Sequence, residues 1–248
     1  MTTIELSAPV NLRDLGGTAI EGGVVRPGFA IRTDDLAYVT EEVADGLVAN
    51  GLTAIIDLRS SVEVATTGRG PLATRPVTYH HLPLIADVGA AMSEDGPDLG
   101  HEAMGAMYVR MVEGAASQLV IALNVIAVTP GATAFHCAAG RDRTGVLAAV
   151  LLLALGADDE AIVHDYARTG DNMAAILARI QPVMAAMWKA LGFEGHDSST
   201  LLKGSMEVSM RTLLATLRDR HGDALAPLYA AGLTGDTIAR LRTKALGA

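Results

Sequence analysis

Short unbroken apolar runs alternate along the chain with longer stretches in which apolar residues return every three or four positions. The runs 53–58 (TAIIDL) and 132–136 (ATAFH) read as buried strands, and 77–84 reads as another. Val24-Val25 and the segment 29–32 flank Arg26-Pro27-Gly28, which predicts a small hairpin. A helix begins behind the Thr40 cap, with Glu41 and Glu42 in its first turn, and stops at Asn50-Gly51. Ser60-Ser61 cap a short helix that carries Glu63. Further helices are predicted over 101–113, 117–128 and 144–155. From Asp158 onward the pattern is helical throughout: 158–168, 171–191, 205–221, 224–231 and 234–246, with Pro182 expected to kink or split the second of these. Segments 86–100 and 192–200 are polar, Gly-containing loops.

Strands alternating with helices predict an α/β fold, with a mostly parallel central sheet flanked by helices and a helical C-terminal flank. The expected organisation is one domain over 1–248, with an α/β core to about 157 and a helical region over 158–248. Half of the 248 residues are hydrophobic, enough for a sizeable core and too many for disorder. The formal charge of −9 argues against nucleic acid or an anionic membrane as a general partner. The single Cys excludes an internal disulfide and any multi-thiolate metal site within one chain. The longest clean apolar run, 146–155, is about half of a membrane span, so no stable membrane insertion is expected. No secretory signal opens the chain; the reading is cytoplasmic, with signal-less export left open.

The lone Cys sits where chemistry is expected. In 135–145 (FHCAAGRDRTG), a strand delivers Cys137 to the C-terminal edge of the sheet, where α/β proteins bind ligands. The small residues Ala138, Ala139 and Gly140 allow the chain to curl so that backbone amides converge. Such a ring, closed by a helix N-terminus, cradles an anion and favours a thiolate. Arg143 stands at the mouth of the helix, and its planar fork suits two phosphoryl oxygens. Neither a Walker A loop nor a GxGxxG after a strand is present, nor a zincin motif. Neighbouring His80 and His81 point to opposite faces of a strand and cannot share a metal, so no metal and no cofactor are expected.

A Cys, five residues and an Arg form the signature of the Cys-based phosphatase superfamily. The fuller string around Gly140-Arg141-Asp142-Arg143-Thr144-Gly145 resembles one branch, the bacterial atypical protein tyrosine phosphatases. Asn11-Leu12-Arg13-Asp14-Leu15-Gly16-Gly17, Arg32-Thr33-Asp34, Ile56-Asp57-Leu58-Arg59-Ser60, Met210-Arg211 and Ala231-Gly232-Leu233-Thr234 resemble that branch in the same order. The family usually has Lys at the place of Arg141 and Phe at the place of Leu12. The resemblance implies a tyrosine/dual-specificity phosphatase-like fold. It also implies hydrolysis of phosphotyrosine-type monoesters, with dual specificity and phosphoinositides as further options, through a cysteinyl-phosphate.

Phosphorylated protein or phospholipid would be the substrate, and phosphate or another oxyanion would occupy the loop formed by Ala138, Ala139, Gly140, Arg141 and Thr144. Cys137 would be the nucleophile, Arg143 the clamp on the phosphoryl oxygens, and Thr144 a hydrogen-bond donor to the sulfur. Asp142 is the first choice for the proton donor, because the resembling family carries an Asp inside this loop; Asp57 and Asp87 compete for the role. His136 is expected to fix the loop. Arg141 offers a charge that suits a polyanionic headgroup, whereas the net acidity of the chain opposes docking on an anionic bilayer, and the two considerations offset each other. Asp57 with Arg59, and Asn11, Arg13 and Asp14, are read either as accessory site residues or as structural braces. The helix bearing Met173, Met184, Met187 and Trp188 is either plain core or a lid. A rhodanese-like sulfurtransferase and a catalytically weak phospho-binding module are the alternative functions.

Overall fold

The computed structural model describes residues 6–85, 100–190 and 205–247. Among these, the strands are β1 (Arg13–Asp14), β2 (Ala19–Ile20), β3 (Gly23–Val24), β4 (Ala30–Thr33), β5 (Leu52–Asp57), β6 (Thr78–His81) and β7 (Ala132–His136). The α-helices are α1 (Glu41–Ala49), α2 (Ser61–Thr67), α3 (His101–Gly114), α4 (Ala116–Val128), α5 (Asp142–Leu155), α6 (Asp159–Ala167), α7 (Thr169–Ala190), α8 (Glu207–His221), α9 (Ala226–Ala230) and α10 (Gly235–Leu246).

The two apolar runs become the middle of a five-stranded sheet in the order β1-β4-β7-β5-β6. Strands β4, β7, β5 and β6 are parallel to one another, and only the edge strand β1 runs antiparallel. A strand covered on both faces needs apolar residues on both, which is why these runs do not alternate with polar positions. Along β7, Phe135 packs into the larger hydrophobic cluster with α3, α4, α5, α6, α8 and α10, whereas Ala134 faces a smaller cluster with Leu36, Val39, Ala44 and Leu52. The C-terminal helices share the larger cluster through Met210, Leu213, Leu217, Leu228 and Leu241.

Local capping sets the elements around the site. The Thr40 hydroxyl accepts from Val43 N at 3.2 Å to start α1. Ser60 and Glu63 form a reciprocal capping box on α2, with Ser60 N donating to Glu63 Oε2 at 2.8 Å and Glu63 N to Ser60 Oγ at 3.3 Å.

Four expectations change. The segment 29–32 does not pair with Val24-Val25. It forms β4 between β1 and β7, and the hairpin instead joins β2 to β3. The positive φ of Gly22 (86°) makes that tighter turn available. Strand β6 stops at His81, two residues before Pro83, which has no donor for a ladder. Helix α7 runs as one element through Pro182, so of the kink or split expected there the split does not occur. Helix α5 begins at Asp142, so Asp142 and Arg143 occupy its first turn. Asp87, the loop 192–200 and the side chains of Met184, Met187 and Trp188 lie outside the described residues.

Candidate active site

Strand β7 ends at His136, and residues 137–141 turn into α5. Gly140 has φ of 67°, and a Cβ there would meet Thr33 O at 2.5 Å, so the bend needs glycine on both counts. Three of the loop carbonyls are tied to neighbouring elements. Asp35 N donates to Ala138 O at 3.1 Å. Asn11 Nδ2 donates to Ala139 O at 3.3 Å and to Gly140 O at 3.0 Å, and Arg32 Nη2 donates to Gly140 O at 3.0 Å. Among the described residues, the amides of Ala138, Ala139 and Gly140 have no hydrogen-bond acceptor. A trans peptide points its carbonyl and its amide to opposite sides, so held carbonyls leave the amides on the other side, the arrangement that binds anions. Cys137 lies at the base of this loop, 1% exposed. The Thr144 hydroxyl donates to its sulfur across 3.2 Å.

Arg143 is aimed by Glu63, a residue that sequence reasoning gave no chemical role. Its Nη1 donates to Glu63 Oε2 at 2.6 Å and its Nη2 to Oε1 at 2.8 Å. Burial raises the pKa of Glu63, but the charge and hydrogen bonds of Arg143, with those of Ser60, outweigh it and hold the carboxyl at about 2. Burial likewise opposes the charge on Arg143; Glu63 and Cys137 outweigh it and raise its pKa. The capping box was the only local sign that Glu63 is held in place.

Asp142, 27% exposed at its side chain, accepts a short hydrogen bond from the Tyr108 hydroxyl through Oδ1. The Tyr108 and Tyr166 hydroxyls are 2.7 Å apart. Burial raises the pKa of both phenols, and Asp142 adds to the effect. The Arg141 side chain turns into this group and away from solvent, 2% exposed, with Nε 3.4 Å from Tyr166 Oη and 3.6 Å from Asp142 Oδ1. From the sequence, a cation at 141 suits a polyanionic headgroup and the net acidity of the chain opposes one; in the structure the guanidinium lies among the buried phenols and the Asp142 carboxylate.

The accessory residues separate into two groups. Asp57 is fully buried and accepts from Arg59 N, Nε and Nη2 and from Tyr79 Oη, at 2.6–3.2 Å. Burial raises its pKa, but the neighbouring His136 and the contacts of Arg59 outweigh it and hold Asp57 well below the ordinary carboxylate range. Arg59 also reaches Asp35 at 2.8 Å, and His136 lies 3.7 Å from both Asp35 and Asp57. Asp14 is spent on the backbone, accepting from Gly16 N at 2.7 Å and Gly28 N at 2.6 Å. Asn11 touches the loop directly, and its Oδ1 accepts from Arg13 Nη1 at 2.6 Å. Arg13 and Arg32 converge on Asp165 at 2.8 and 2.5 Å; neither Asp165 nor the two tyrosines were singled out from the sequence. Among the described residues, no group of three or more His, Cys, Asp or Glu side chains is placed to hold a metal ion. No single helix among them is long and apolar enough to cross a membrane.

The family model described as the tyrosine phosphatase family matches residues 4–247. A triple specificity protein phosphatase, PtpB of Mycobacterium tuberculosis (strain ATCC 25618 / H37Rv), is 28% identical over 280 aligned residues, covering 100% of both chains. A tyrosine-protein phosphatase of Nostoc commune is 32% identical over 142 residues, covering 55% of this chain and 47% of its own. A family match across nearly the whole chain places this protein in the tyrosine phosphatase family, hydrolases of phosphoric monoesters.

Proposed function

We propose that the chain hydrolyses phosphotyrosine-type monoesters through a cysteinyl-phosphate intermediate on Cys137. The observation that carries this reading is the sulfur of Cys137, held by Thr144 at 3.2 Å beside a loop whose Ala138, Ala139 and Gly140 carbonyls are taken by Asp35, Asn11 and Arg32. The thiolate attacks phosphorus, an S–P bond forms and the P–O bond to the leaving group breaks. Asp142 gives its proton to the departing oxygen. Water then attacks phosphorus and loses a proton to Asp142, the S–P bond breaks, and inorganic phosphate leaves with Cys137 again a thiolate. Arg143 and the loop amides hold the equatorial oxygens.

Asp142 suits the proton role better than Asp57. A carboxylate occupied on both oxygens and held far below the ordinary range has no proton to give, and Asp57 is in that state. The inward turn of Arg141 favours a single aryl phosphate over a polyphosphorylated headgroup, because this side chain is buried beside Tyr166 and Asp142, with Nη2 left without a hydrogen-bond partner among the described residues.

The test is a panel of phosphotyrosyl peptide, phosphoseryl peptide and phosphoinositide offered to wild type, Cys137→Ser and Asp142→Ala. Phosphotyrosyl peptide should be turned over fastest, and Cys137→Ser should show no detectable turnover while still binding vanadate. Residual turnover in Cys137→Ser above about a thousandth of wild type would remove the covalent route. Faster turnover of the phosphoinositide would reverse the substrate assignment.

A further inference from the structure

The pair Tyr108 and Tyr166 has no part in the reaction as described, yet it is built with care. Tyr108 comes from α3 and Tyr166 from α6, and both rings are fully buried. Their centroids lie 6.0 Å apart with an interplanar angle of 75°, an edge-to-face contact. Gly145 makes room for one of them: a Cβ there would come within 2.9 Å of the Tyr166 ring. A buried phenol needs a partner, and here the partners form a line that ends on Asp142.

The direction of that line is fixed at its far end. A guanidinium has donors only, so Arg141 Nε must donate to Tyr166 Oη. The Tyr166 proton is then free to go to Tyr108 Oη, 2.7 Å away. The Tyr108 proton goes to Asp142 Oδ1. Each hydrogen in the line points one step nearer the carboxylate, and the last, from Tyr108, reaches Asp142 Oδ1. Among the described residues the other oxygen, Oδ2, has no hydrogen-bond partner, in contrast with Asp57, whose two oxygens are both taken.

We propose that Tyr108 and Tyr166 are positioning residues that pin one oxygen of Asp142 and so present the other for proton exchange with the leaving group. The proposal rests on the reading of Asp142 as proton donor. A donor held by a directed hydrogen bond keeps its other oxygen within reach of the departing oxygen, whereas a first-turn side chain with no anchor samples several rotamers.

The experiment measures kcat/KM for Tyr108→Phe, Tyr166→Phe, Asp142→Ala and the double variant Tyr108→Phe/Asp142→Ala. The substrates are phenyl phosphate, a poor leaving group, and 2,4-dinitrophenyl phosphate, which leaves without a proton. Vanadate inhibition is measured alongside. Tyr108→Phe should lose about tenfold on phenyl phosphate and less than about twofold on the dinitrophenyl ester, with vanadate inhibition within about twofold of wild type. Tyr166→Phe should act in the same sense and less strongly. The double variant should be no worse on phenyl phosphate than Asp142→Ala alone. Equal losses on both esters in Tyr108→Phe, or losses that add fully in the double variant, would overturn the positioning role while leaving Asp142 in place. An Asp142→Ala variant that loses equally on both esters would remove the proton donor itself, and the positioning role with it.

Discussion

A guanidinium carries five N–H donors, and Glu63 takes one from each Nη of Arg143. Three remain in the same plane for an anion, so the pairing orients Arg143 without exhausting it. Glu63→Gln keeps the shape and removes the charge, and kcat/KM should fall at least about tenfold as the guanidinium loses its bidentate anchor. The same pair makes a pH prediction. The Glu63 carboxyl is depressed from 4.5 to about 2, so its ionised form stabilises the fold fully above pH 4.5. That stabilisation is lost as pH falls from there toward 2. A depression of this size corresponds to about 3 kcal/mol at neutral pH. Urea unfolding of wild type and Glu63→Gln at pH 7 and pH 3 checks it: the gap should be wide at pH 7 and should narrow at pH 3. A gap of the same width at both would show that the charge of Glu63 is not what stabilises the pair.

At the scale of elements, the unit that matters is β7, its loop and α5. Its middle is pinned against the end of β4, where Gly140 leaves no space for a side chain. Gly140→Ala combines a left-handed backbone, costing about 1–3 kcal/mol, with a collision against Thr33 O that moves the loop. A displacement near 1 Å costs about a hundredfold in rate, so turnover should fall by that much or more, and vanadate binding should weaken with it. Retained vanadate affinity with lost turnover would place the damage elsewhere. This unit was legible in the sequence because it is local: an apolar run, a Cys, small residues, an Arg and an apolar helix follow one another within twenty-odd positions. Strand β4 looks like half of a local hairpin in the sequence because its central partner is remote: Ile31 pairs with Ala134, far along the chain. Glu63 lies 80 residues from Arg143, and nothing near either residue names the other. Tyr108, Tyr166 and Asp165 sit at buried positions of amphipathic helices, where the sequence pattern describes core packing and says nothing of hydroxyls that meet.

Across the whole molecule, the loop is tied to the N-terminal strands and to α6 through one carboxylate. Asp165, on α6, receives Arg13 from β1 at 2.8 Å and Arg32 from β4 at 2.5 Å. Arg32 also holds Gly140 O, and Arg13 holds Asn11, which reaches Ala139 O and Gly140 O. All three ionised groups are at most 8% exposed. Burial and the neighbouring Arg32 lower the pKa of Arg13 to about 10 against the pull of Asp165, so it is charged at neutral pH but not comfortably. Asp165→Asn would leave two buried guanidinium groups without a counter-charge, which costs about 3–5 kcal/mol. The urea midpoint should drop accordingly, and turnover should fall even at urea-free conditions where the variant is folded, because the clamps on the loop carbonyls lose their common anchor. Adding Arg13→Met removes one of the two uncompensated charges. The double variant should therefore be more stable than Asp165→Asn alone, while its turnover stays low, since Asn11 has then lost its brace. If the double variant recovered activity in step with stability, the C-terminal helices would be supporting the fold in general and not the loop in particular.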